Sequence, residues 1–227
     1  MKIISAQQTR ELDQFTIANE PISSIDLMEC AAFKCSKWIA KHFSKSTSFH
    51  IICGKGNNGG DGLAIARQLS EFGYAVRVSI IELSEKGSPD FEINRDRLNE
   101  KQITVQHINL SENLDLNPQE IIVDAILGSG INNPLTGNLL RIVSSINDKK
   151  SPNQPVVAID LPSGLFMDRL NQSNEKSILA DITLTFQTPP LSFFFKVNYA
   201  RIGEWYVLDI GLDKQHLEET ESPYSLV

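Results

Sequence analysis

Three glycine-bearing segments carry oxygen side chains in a pattern that suits one shared site. GKGNNGGDG (54–62) sets Asn57, Asn58 and Asp61 between the apolar FHIIC (49–53) and the helical LAIARQL (63–69). DAILGSGINNPLTG (124–137) places Asp124 ahead of a run rich in small residues, and IDLPSGL (159–165) places Asp160 and Ser163 at the end of a further apolar run. A carboxylate closing an apolar strand is costly unless it is bonded or used. Partial burial would raise the pKa of Asp160 and suit it to acid/base work. Asn57, Asn58, Asp61, Asp124, Asp160 and Ser163 together make the oxygen-rich set that hard cations seek. Lacking a dense carboxylate cage, that set favours a weakly charged ion over calcium. The structural alternative is that these residues only cap and shape turns, as Asn and Asp do widely.

The first segment also fits G-x-G-x-x-G at Gly54, Gly56 and Gly59, with Glu82 near the place of a ribose-binding acid. A dinucleotide-binding dehydrogenase is therefore one hypothesis. Against it, Asp61 is expected to cap the following helix, taking the N–H groups a pyrophosphate needs and repelling phosphate. The P-loop pattern fails because Gly60, not lysine, follows Gly59. Residues 128–137 offer consecutive backbone N–H groups ahead of a helix starting near Gly137, a better anion nest. Ser163 lies in LPSGL rather than a G-x-S-x-G elbow, so a hydrolase triad is poorly supported.

These segments need a scaffold that brings them together. Ser5 and Gln8 form a capping box for a first helix with Leu12 and Phe15 on one face, and residues 20–43 read as a second helix. Strands are predicted at 49–53, 75–81, 104–108, 121–126, 156–161, 181–186 and 205–210, with helices at 61–72, 88–101 and 137–149. Continuously apolar strands alternating with helices imply a three-layer, mostly parallel, doubly wound α/β domain. In such sheets, ligands bind at the carboxyl ends of the strands, where all three segments fall. Residues 1–213 are expected to form that domain, and the polar stretch 214–227 a tail or linker.

The formal charge of -7 argues against a nucleic-acid backbone as partner. No run approaches the roughly 20 apolar residues that span a bilayer, and MKIISAQQTRELDQ is unlike a signal peptide. Three cysteines, Cys30, Cys35 and Cys53, read as buried free thiols, and the four histidines as surface or core-edge residues. A cytoplasmic protein is expected.

GKGNNGGDGLAIARQL, VDAILGSGINNPLTG, VVAIDLPSGL and ADITLTFQTP resemble, in order and spacing, the signature segments of the YjeF N-terminal domain family, which contains the NAD(P)H-hydrate epimerases. EPISSIDLMECAA and VLDIGL extend the resemblance over nearly the whole chain. It implies a Rossmann-like fold, commonly a homodimer, and a repair enzyme that interconverts the R and S hydrates of NADH or NADPH for a partner dehydratase. By motif, Asn57, Asn58, Gly59, Gly60, Asp61, Gly128, Ser129, Gly130, Ile131, Asn132, Asn133, Pro134 and Asp160 would contact the hydrated nucleotide. Asn58, Asp124 and Ser163 would bind a potassium ion, and Asp160 would act as acid and then base at ring carbon 6. The chain departs from the family pattern at Pro190, where many relatives carry lysine; Lys55 or Lys196 are the candidates to compensate. A non-catalytic nucleotide- or partner-binding module of the same fold is the alternative.

Overall fold

Apolar, β-branched runs form β1 (Ser48–Cys53), β2 (Ala75–Ile81), β3 (Thr104–Ile108), β4 (Glu120–Ala125), β5 (Val156–Ile159), β6 (Ile182–Phe186) and β7 (Glu204–Leu208). The computed structural model describes residues 2–101 and 103–224. All seven strands pair in parallel, in the order β3-β2-β1-β4-β5-β6-β7. Because β1 pairs with both β2 and β4, the strand order reverses between β1 and β4, and a crevice opens at their carboxyl ends. Ile52, Asp124 and Ala158 lie side by side in register, so the segments following β1, β4 and β5 emerge on one rim.

Strand alternation divides the core. Phe49, Ile51, Cys53, Val123 and Ile159 point to the face covered by α2 (Ser24–His42), α3 (Asn57–Glu71) and α4 (Pro89–Asn99). Ile52, Ile122, Val156 and Ala158 point to the opposite face, against Ile142, Val143 and Ile146 of α5 (Gly137–Lys149). Helix–sheet–helix layering follows, as the apolar pattern requires. α1 (Ala6–Asn19) begins with the expected capping box, in which Ser5 and Gln8 bond reciprocally, and α4 begins with Ser88 as cap and Pro89 in its first turn. The link from β6 to β7 is built from two 3-10 turns and the single-turn α6 (Tyr199–Ile202).

Four expectations change. The glycine-rich NNGGDG is already helix, since α3 starts at Asn57 rather than at residue 61. Of the cysteines only Cys35 and Cys53 are buried; Cys30 is exposed, because five residues turn a helix by about 140° and set it on the other face of α2 from Cys35. His50 is in the core, bonded through Nε2 to Ser79 Oγ at 2.7 Å. The polar stretch after residue 213 folds in part as α7 (Lys214–Glu219), held by Lys2 Nζ on the carbonyls of Leu217 and Glu218 and by stacking of Phe15 on His216.

Candidate active site

A cavity of about 430 Å³ lies over the carboxyl ends of β1, β4, β5 and β6, with α1 across one side. Its floor comes from Gly56, Asn57, Asn58 and Asp61 of the β1–α3 junction and from residues 126–131 after β4. Asp160 enters directly after β5, Pro190 after β6, and Thr9, Arg10 and Asp13 from α1.

Asp160 holds a left-handed backbone with φ 65°, which costs a side-chain-bearing residue conformational energy. The surroundings fix it there. Its N–H donates to the Leu184 carbonyl at 2.8 Å, and its Oδ2 accepts the Ser129 N–H at 2.7 Å. Burial raises its pKa, and the bond from Ser129 only partly opposes that rise. One N–H of the expected anion nest is therefore already spent on Asp160.

Asp124 lies beneath the cavity rather than in its wall. Its Oδ1 accepts from Ser163 Oγ at 2.6 Å and from the Ile126 N–H at 3.2 Å, and its Oδ2 accepts the Ser163 N–H at 2.7 Å. Burial pushes its pKa up to about 6 against those bonds. Ser163 Oγ also accepts the Leu127 N–H at 2.8 Å, so it ties the loop after β4 to the loop after β5. Above them, Asn58 is 8% exposed, and neither its Oδ1 nor its Nδ2 has a hydrogen-bond partner among the described residues. Gly128 lets the loop after β4 approach closely: a Cβ there would stand 2.6 Å from Asp160 Oδ2 and 3.2 Å from Asn58 Cβ. An orphaned buried amide in the lining of a cavity points to a bound group. Asn58, Asp124 and Ser163 are all oxygen donors with one carboxylate among them, which suits a monovalent cation.

The structure sorts the expected residues. Asn57, Asn58, Asp61, Gly128, Ser129, Gly130, Ile131 and Asp160 line the cavity. Asp61 does not cap α3; Gly56 occupies the cap position without a side-chain bond, and Asp61 sits a turn further on with its carboxyl in the cavity. Gly59 and Gly60 are not wall residues. A Cβ on Gly59 would come within 2.0 Å of the Gly54 carbonyl oxygen, and one on Gly60 within 2.8 Å of Met28 Sδ, so both serve the close approach of α3. Asn132, Asn133 and Pro134 are exposed and stand outside the wall. Lys55 binds Glu82 at 2.7 Å and the carbonyls of Ser84 and Glu85, which occupies both the candidate lysine and the candidate ribose acid. Lys196 is exposed, and neither lysine lines the cavity.

Asp13 escaped the sequence reading. Burial, and then the charge of Asp160, raise its pKa to about 7. Asp61, buried beside Asp160, Asp13 and Asp90, is pushed well above the ordinary carboxylate range. The one available signal was the polar i, i+4 pair Thr9 and Asp13 beside buried Leu12, which also describes a solvated helix face. Burial raises the pKa of all three carboxyl groups around this one cavity, an arrangement suited to acid/base chemistry.

The model of the YjeF-related protein N-terminus matches residues 24–191. This chain belongs to that family. It is 36% identical to an NAD(P)H-hydrate epimerase of Limosilactobacillus fermentum, over 91% of this chain and 95% of the relative. It is 32% identical to an NAD(P)H-hydrate epimerase of Anaerococcus prevotii, over 95% and 97%. A bifunctional NAD(P)H-hydrate repair enzyme of Thermofilum pendens is 30% identical over 97% of this chain, which spans 42% of that longer protein. The crystal structure of yeast YNL200c shares the fold, with a TM-score of 0.80 at 24% identity over 100% of this chain and 96% of the yeast chain. The family match begins at Ser24, the first residue of α2, so the wall supplied by α1 lies outside it.

Proposed function

We propose that this chain is an NAD(P)H-hydrate epimerase, an isomerase that interconverts the R and S forms of hydrated NADH or NADPH. Asp160 carries the reading: a strained, cavity-facing carboxyl beside the strand switch point, its pKa raised by burial. The names and coverage of the family relatives support it. The hydrate is a hemiaminal, so its ring nitrogen can expel the hydroxyl at carbon 6 once that oxygen is protonated. Neutral Asp160 gives that proton, the planar iminium forms, and water returning to the other face inverts the centre. The loop after β4 orients Asp160 through the Ser129 N–H, and the apolar Ile126, Ile131 and Phe186 screen the iminium from bulk water.

In the same reading, Asn58, Asp124 and Ser163 hold a potassium ion, supported by the unpartnered amide of Asn58. Bound there, the ion supplies positive charge to a site dominated by carboxyl groups. A dehydratase that uses the S form is the proposed functional partner. A homodimer, which rests on the family resemblance, and a cytoplasmic location, which rests on the free thiols, also belong to this proposal. Among the described residues, no helix is long and apolar enough to cross a membrane.

The test is direct. The R hydrate of NADH is mixed with a dehydratase specific for the S hydrate in potassium buffer, and NADH recovery is followed with and without this protein. Recovery well above the spontaneous rate establishes the epimerase and shows that Pro190 is tolerated. No acceleration by folded protein replaces this reading with that of a binding module, which Pro190 in the cavity wall would then explain.

A further inference from the structure

Inversion at one carbon needs chemistry on both faces of a flat ring. The hydroxyl leaves one face with a proton, and water adds to the other face while losing one. A single carboxyl fixed in one wall reaches one face. The φ 65° backbone of Asp160 and its bond from Ser129 fix it in this way.

A second cavity of about 390 Å³ adjoins the first. Arg10, Asp13, Asn57, Asp61, Phe186 and Ile210 line both cavities and form the partition between them. Asp160 and the loop of Gly128 and Ser129 line only the first. Asp13 and Asp160 therefore stand on separate walls of one space, from α1 and from the end of β5. The buried amide of Asn58 in the floor, unpartnered among the described residues, marks the space as one built for a ligand.

We infer that Asp13 is a second catalytic residue, moving a proton on the ring face opposite Asp160; this rests on the reading of the chain as an epimerase. In one direction, Asp160 protonates the departing hydroxyl, the bond from carbon 6 to oxygen breaks, and the ring-nitrogen lone pair forms the iminium. A water on the Asp13 side then bonds to carbon 6 and gives its proton to the Asp13 carboxylate. The other epimer runs the same steps in reverse, with Asp13 as acid and Asp160 as base. One turnover moves one proton from Asp160 to Asp13, and exchange with water resets the pair.

The neighbours select Asp13 over Asp61. Asp13 is faced by Arg10 on its own helix, Asp61 on α3 and Asp160 after β5, with Asp90 of α4 on the second cavity. Asp61 belongs to the floor with Asn57 and Asn58, among three carboxyls that push its pKa well above the ordinary range, whereas Asp13, raised to about 7, stands on the α1 wall. Among the described residues no hydrogen bond engages its carboxyl, and burial and the charge of Asp160 alone raise its pKa.

The test gives the R and S hydrates of NADH separately to the parent and to Asp13→Asn in ¹⁸O-labelled water. Epimerisation and label uptake at carbon 6 are both read. The variant is expected to epimerise at least 100-fold more slowly while still exchanging the hydroxyl of the epimer that faces Asp160, and Asp13→Glu is expected to restore part of the inversion. Epimerisation by Asp13→Asn within threefold of the parent overturns the assignment, as does an equal loss of exchange and inversion. Should the variant not fold, the parent alone decides: label uptake matching inversion supports two groups, and uptake with retention far faster than inversion overturns them. A parent that neither exchanges nor epimerises removes the functional reading instead.

Discussion

At Asp160 the local backbone, the Ser129 N–H and burial all act on one carboxyl. Replacing it with Asn keeps the shape and removes the proton. Asp160→Asn is expected to slow epimerisation about 10²–10⁴-fold, the usual contribution of acid/base catalysis, with substrate binding retained. Unchanged turnover would take Asp160 out of the chemistry. Asp13 makes a prediction that needs no substrate. Its folded pKa of about 7 lies above the ordinary carboxyl value of 3.8, so the folded chain holds the extra proton between those values. Stability therefore falls as pH rises from about 4 through about 7. Asp13→Asn removes that loss, so its melting temperature should exceed the parent's by more at pH 8 than at pH 4. An equal offset at both pH values would refute the shift. Asp160 was legible in the sequence because a carboxylate ending an apolar strand stands out. Asp13 was not, since an acid on an amphipathic helix looks like any solvated residue until the fold places α1 over the rim.

The elements hold the site through close approaches rather than through caps. Gly59 lets the first turn of α3 press against the end of β1, and a methyl there would meet the Gly54 carbonyl oxygen at 2.0 Å. Gly59→Ala should cost about 1–3 kcal/mol through overpacking, read by denaturant unfolding. Gly128→Ala is a different experiment. Its methyl would point at Asp160 Oδ2 and Asn58, so activity should fall far more than stability does. Parallel losses would show that the loop after β4 is structural only. The sequence misplaced the start of α3 because glycine is a poor helix former and NNGGDG reads as a turn. Here packing against β1 and β4 outweighs propensity. The strands β2 and β3 needed no revision, since β-branched runs bounded by polar segments define their own ends.

Across the whole molecule, alternation of strands and helices was enough to anticipate the three layers and the rim where ligands bind. It did not reveal which distant segments close the cavity over that rim, because α1 and the β6–β7 link arrive there only through topology. Potassium provides a prediction at this scale. It should raise the melting temperature of the parent above that in choline at equal ionic strength, because a ligand of the native state alone stabilises it. Asp124→Ala, which strands the donors of Ser163 and Ile126, should abolish that difference and cost about 1–3 kcal/mol. A response to potassium that survives in the variant would move the ion elsewhere. The left-handed turn at Asp160 has one more consequence. Asn accepts that backbone more readily than most residues and carries no charge to bury. The dead Asp160→Asn enzyme should therefore be the more heat-resistant protein. Selection for thermal endurance alone would discard the catalyst and keep its shell.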